Sequence, residues 1–68
     1  MKLTYDPATD SLYIDLSSRT STESVEAANG VVIDLDGQGS VVGIDIDHAS
    51  EKVDLSFVEV DSLPVRKK

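Results

Sequence analysis

Residues 34–45, DLDGQGSVVGID, admit two readings, and the choice between them decides the fold. Asp34, Asp36 and Gln38 stand at positions one, three and five of a calcium-loop pattern, Gly39 at six and Asp45 at twelve. Such a loop needs two amphipathic helices to hold its ends. The flanks here, GVVI before and IDI after, are β-branched and alternate apolar with polar, as strands do. Gly30 lies too close upstream to leave room for an entering helix. The stretch is therefore expected to be a β-hairpin. Pairing Val31 with Ile46, Ile33 with Ile44 and Leu35 with Val42 puts the apolar pairs on one face. The loop is then 37–40, with both glycines supplying positive φ and Asp36 accepting bonds from the turn amides. In this register Asp34 lies opposite Gly43 and Asp45 opposite Val32, so no two carboxylates are directly opposed. Asp34 and Asp45 also stand too far along their strands to close around one ion with Gln38.

The same period of two runs outward from this hairpin. Leu3 and Tyr5, then Leu12, Ile14 and Leu16, alternate with polar residues, as half-buried strands do. Between them DPATD favours a type I turn, and pairing Tyr5 with Leu12 and Leu3 with Ile14 leaves a loop at 7–10. SSRTSTES is polar and reads as the longest loop, its end entering a strand at 23–27. Asn29 and Gly30 supply a turn. Asp47 is placed to cap a short helical segment near 48–52, after which DLSFVEV returns to an extended pattern.

Sixty-eight residues make one small domain, expected over 1–63, with 64–68 as a basic flexible tail. A chain this short needs a staple or a partner, and it has no cysteine for a disulfide or thiolate metal site. No stretch approaches the ~18 apolar residues of a membrane span. The opening MKLTYDPATD lacks the apolar run of a signal peptide, so a cytoplasmic location is expected. Thirteen acids against six bases give a net charge of -7. That charge disfavours nucleic acid, and the cluster Arg66, Lys67 and Lys68 is weak counter-argument on a terminal tail. It suits solubility, or a meeting with a basic protein.

Chemistry is sparse. Asp15, Asp34 and Asp45, with Asp47, project from the outer sheet face, where paired carboxylates could act as acid and base or hold a divalent ion. A solvated acidic face that blunts edge association explains them more simply. His48, the one histidine, falls at the start of the helical segment and reads as a surface residue. None of the serines has a nucleophile-elbow context, and no glycine loop precedes a helix. Tyr5 falls on the apolar face and is expected in the core. Tyr13 falls on the outer face by alternation and is a contact candidate. No catalytic residue, metal ligand or cofactor is assigned.

YDPATDSLYIDL, followed by GVVIDLDGQGSVVGIDIDHAS, resembles the small prokaryotic family catalogued as domain of unknown function 2283. The family pattern is a YDPxxDxLYI hairpin, a polar stretch, a DxDxxGxxVGIEI hairpin and an AS segment. Matching residues here are Tyr5, Asp6, Pro7, Asp10, Leu12, Tyr13, Ile14, Asp34, Asp36, Gly39, Val42, Gly43, Ile44, Ala49 and Ser50. Asp45 stands where the family commonly has Glu. The resemblance implies a small β-rich fold, no assigned activity and no catalytic residues. It also implies an association, in some relatives, with the acidic half of toxin–antitoxin gene pairs.

The expected architecture is mainly β: an antiparallel sheet of five or six short strands built from hairpins, with one short helical segment. Its apolar face is too large for that segment to cover, so VDLSFVEV and a second subunit are expected to share it, giving a homodimer. The expected function is a protein-binding module, antitoxin-like, meeting a small basic protein through Tyr13, Asp15, Asp34 and Asp45. The alternative is a metal-dependent or carboxylate-based enzyme.

Overall fold

A computed structural model describes residues 1–64 of the chain. The basic cluster Arg66, Lys67 and Lys68 lies outside the described residues. Five strands form: β1 (Lys2–Asp6), β2 (Ser11–Asp15), β3 (Glu23–Ala28), β4 (Val31–Leu35) and β5 (Val41–Asp47). They make one sheet, wholly antiparallel, in the order β1-β2-β5-β4-β3. A single 3-10 turn, Ala49–Glu51, follows β5.

The first hairpin has the expected register, with Tyr5 opposite Leu12 and Leu3 opposite Ile14. Its turn is held by Asp6, whose carboxylate accepts the Ala8 amide at 2.9 Å. The 34–45 stretch is a hairpin, with Val31 opposite Ile46, Ile33 opposite Ile44 and Asp34 opposite Gly43. One pair differs from expectation. Leu35 stands opposite Val41 and not Val42, because the ladder shifts by one residue after Asp34. Val41 and Val42 are both apolar, so alternation alone cannot place the bulge. The freed Val42 is almost fully buried at 3% exposure, and its carbonyl accepts the Leu16 amide at 2.9 Å. Of the two glycines in this turn, only Gly39 has positive φ, at 82°.

β5 is the central strand and joins the two halves of the chain. It pairs with β4 as a hairpin and with β2 across the gap in sequence, placing Ile14 opposite Ile44 and Leu12 opposite Ile46. The 16–22 loop therefore crosses the end of the sheet to reach the far edge. It is anchored there by Arg19 to Asp36 at 3.0 Å and by the Thr22 amide to the Leu35 carbonyl at 2.8 Å.

Asp47 does not cap the helical turn. It ends β5, and His48 takes the cap position in a left-handed conformation with no side-chain bond. The cap comes from the first hairpin. The Asp10 carboxylate accepts the Ser50 amide at 3.1 Å and the Ser50 hydroxyl at 2.7 Å. The Asp10 carbonyl also accepts the Ala49 amide at 2.9 Å. Beyond Val53 the chain makes no strand up to residue 64. Asp54 explains the departure, since its carboxylate draws in the Ser56 amide at 3.0 Å and turns the chain away from an extended path.

The sheet has two chemically opposite faces, and only one has a partial cover. Among the described residues only Val42, Gly43 and Ala49 are buried. Val53, Asp54, Leu55 and Val58 come over Leu3, Tyr5 and Leu12, leaving a hollow between them. The rest of the apolar face is uncovered. Leu3 is 52% exposed, and Tyr5, Leu16 and Val25 are exposed too. Tyr5, expected in the core, therefore stands at its open margin.

Candidate functional site

The polar face is built as rows across the strands. One row runs Ser24, Asp34, Gly43, Asp15 and Lys2 from β3 to β1. The next runs Glu26, Val32, Asp45, Tyr13 and Thr4. The four candidate residues Tyr13, Asp15, Asp34 and Asp45 thus share this face on three adjoining strands. They are not equivalent.

Tyr13 lies flat across β5 and does not project. Its hydroxyl passes over Gly43 and donates to Asp34 Oδ2 at 2.8 Å on β4. Gly43 is the reason it fits: a Cβ there would meet the Tyr13 hydroxyl oxygen at 1.9 Å and Cζ at 2.5 Å. Asp34 takes a second bond, from the Ser24 hydroxyl at 2.7 Å to Oδ1. Both Asp34 oxygens are therefore engaged within the sheet, and the Ser24–Asp34–Tyr13 chain staples β3, β4 and β2 over the central strand. The bond to the Asp34 carboxylate, with partial burial behind it, pushes the Tyr13 hydroxyl up to about 12.

Asp45 stands beside Tyr13 with no such bond. Partial burial first, then the negative charges of Asp47 and Asp34, raise its carboxyl above the ordinary Asp value. Asp15 lies toward the other end of the face, opposite Lys2 and beside a shallow hollow shared with Met1, Ser17 and Ser18. Asp15 and Asp45 are thus the carboxylates of the candidate set left for an outside contact.

Two features escaped the sequence reading. Gly43 inside a strand signals a close neighbour, yet its spacing does not name Tyr13 as that neighbour. Asp10 gave no signal beyond its turn. It forms the second network of the molecule, accepting the Tyr5 hydroxyl at 2.8 Å as well as both Ser50 donors. The bonds from Ser50 and then Tyr5 hold the Asp10 carboxyl below the ordinary Asp value. The amides of Ser40 and Gln38, helped by Arg19, do the same for Asp36.

These shifts fix the expected pH response. Asp10 and Asp36 bind protons less tightly folded than unfolded, so their contribution is present above the unfolded value of 3.8 and is lost as pH falls through their lower folded values. Asp45 has the opposite sign and offsets part of this loss. Tyr13 contributes stability below the unfolded tyrosine value of 10, lost as pH rises toward about 12. Thermal melts should show a plateau at neutral pH, with midpoints falling below pH 4 and again above pH 10. A midpoint unchanged between pH 9 and pH 11.5 would contradict the Tyr13–Asp34 bond.

The calcium-loop resemblance of 34–45 does not survive the geometry. Asp34 faces Tyr13 and Ser24, while Asp36 turns into its own loop to accept the Gln38 and Ser40 amides, each at 2.9 Å. No group of three or more His, Asp or Glu among the described residues is arranged to hold a metal ion. Calorimetric titration with calcium at physiological ionic strength is expected to show no saturable heat, and a one-to-one site in the micromolar range would overturn the assignment.

Among the described residues no helix is long and apolar enough to cross a membrane. No curated protein and no solved structure is significantly similar to the chain. The two hairpins and the Asp10-capped Ala49–Ser50 segment span the residues that carry a family pattern. Over residues 2–50 the chain matches the family described as protein of unknown function (DUF2283), and it belongs to that family.

Proposed function

We propose that this protein is a protein-binding module and not an enzyme. One observation carries the reading: a five-stranded sheet with a wet face and an apolar face, in a chain that buries only Val42, Gly43 and Ala49 among its described residues. Such a sheet needs another protein surface to complete its core. On the polar face Asp34, with both oxygens bonded, is consumed in holding strands together. Catalytic carboxylates are normally found in concave, partly apolar pockets, and the one hollow beside the candidate set, at Asp15, is shallow and open.

The partner met by the polar face is a basic protein, in the manner of an antitoxin neutralising a small basic toxin. Asp15 and Asp45 supply the free negative charge, within an overall charge of -7. The test begins with capture of the partner from native lysate. Association rates are then measured at low and high salt for the wild type, Asp15→Asn and Asp45→Asn. Rates are expected to fall roughly tenfold at high salt, and to fall in each variant. Asp34→Asn is a poorer probe, because it also disturbs the Tyr13 and Ser24 bonds. On-rates indifferent to both salt and substitution would remove the acidic face from recognition.

A further inference from the structure

We propose that the apolar face of the sheet is covered by the same face of a second copy of this chain, forming a two-sheet sandwich. This rests on the protein-binding reading and names the occupant. The chain exposes 5398 Å², whereas a compact monomer of its length would expose about 4,200 Å². The excess of about 1,200 Å² is shared between the open apolar face and the exposed segment 54–64, and it is of the order of the ~800 Å² that each partner brings to a standard interface. The shape agrees: the radius of gyration is 13.1 Å, against about 11 Å for a compact chain of 68 residues.

Leu3, Leu12, Ile14, Ile33, Ile44 and Val25 form an uncharged plate, while the carboxylates of Asp15, Asp34 and Asp45 lie on the opposite face. Two copies meeting plate to plate, with layers ~10 Å apart, turn their acidic faces outward in opposite directions. Those faces are then separated by more than the ~8 Å screening length, so the carboxylates of Asp15, Asp34 and Asp45 do not oppose this association. The same carboxylates oppose every pairing of two copies through the polar face. At the apolar plate a basic partner finds little to meet: Glu23 at the β3 edge and Asp54 over Leu3 and Tyr5 border the plate, while its centre, Leu12, Ile14, Ile33 and Ile44, carries no carboxylate. In the C-terminal segment, Val58, 70% exposed, comes over the plate's covered edge and extends the apolar surface offered to the second copy.

Light scattering during size exclusion at tens of micromolar should give twice the chain mass. Leu3→Glu with Val25→Glu alters two side chains already exposed in the single chain, so it spares the strands and places charge in the interface. It should weaken self-association by about 100-fold or more. Asp45→Asn, on the other face, should leave the mass unchanged. A measurement without substitution guards against a variant that fails to fold. Mixing isotope-labelled and unlabelled wild-type chains should give intermolecular NOEs among the methyls of Leu12, Ile14 and Ile44. A dimer lacking those NOEs, or one indifferent to the double substitution, overturns the sandwich. A wild-type monomer that binds a hydrophobic dye and melts without cooperativity overturns the second copy as occupant but keeps the protein-binding reading. A monomer that melts cooperatively and binds no dye overturns both.

Discussion

Gly43→Ala is expected to destabilise the protein by about 2–3 kcal/mol, a large effect for a single added methyl. The new Cβ would fall 1.9 Å from the Tyr13 hydroxyl oxygen, and the ring cannot yield by a few tenths of an ångström, because its Cζ lies 2.5 Å away as well. Tyr13 must swing off the strand. It then loses its bond to Asp34 and uncovers β5, the strand on which both halves of the sheet depend. Tyr13→Ala alone should cost a similar amount, because it loses the same bond to Asp34 and the same cover over β5. The double variant should be little worse than Tyr13→Ala, since the clash that made Gly43→Ala costly is gone. Chemical denaturation of the four proteins closes this cycle. Strict additivity would mean that Tyr13 does not lie over Gly43.

Asp10→Ala is expected to lower the melting temperature by about 10 °C or more, with Asp10→Asn much milder. Asp10 sits at the end of the first turn with φ of 54°, a conformation that Asp and Asn tolerate better than Ala. Its carboxylate also gathers the Tyr5 hydroxyl and both Ser50 donors. An Asn side chain retains an acceptor for the Ser50 amide and can donate to the Ser50 hydroxyl. Ala retains neither the backbone preference nor the acceptor. Asp10→Gly should fall between them, because it relieves the backbone but loses the clamp. Thermal melts ordering the three as Asn, Gly and Ala, from mild to severe, would support a clamp between the first hairpin and the 3-10 turn. Equal losses in all three would assign the effect to charge alone.

Both networks use residues that carry the family pattern, and that pattern is accounted for here by structure. Tyr5, Asp10, Ala49 and Ser50 lock the turn after β5 to the first hairpin. Tyr13, Asp34 and Gly43 set the packing over the central strand. A motif this regular need not mark chemistry when each of its members has a fold to hold.

The two hairpins were legible because apolar alternation and turn chemistry agreed on one register. Leu3 against Ile14 and Ile33 against Ile44 follow from both signals at once. The bulge at Val41–Val42 was hidden by two like residues in succession, either of which satisfies the pattern. The β2–β5 pairing was not legible, because nothing local says which strands meet across a long loop. That gap hid the candidate site's main feature, since Tyr13 and Asp34 lie on strands separated by β5. Alternation placed Tyr13 on the correct face but not its ring over Gly43. The C-terminal segment was not legible for a related reason. DLSFVEV alternates like a strand, but a strand also needs a ladder to join, and the Asp54–Ser56 turn diverts the chain first.

The proposed completion of this sheet's core by a second copy is tested by the thermal midpoint as a function of chain concentration. Unfolding coupled to dissociation makes the midpoint rise with concentration, by about 10 °C over a hundredfold range for a dimer of this size. That rise, in one cooperative transition, is the result expected. A sharp transition whose midpoint stays fixed across the same range would show that one chain closes its own core, and would contradict the account.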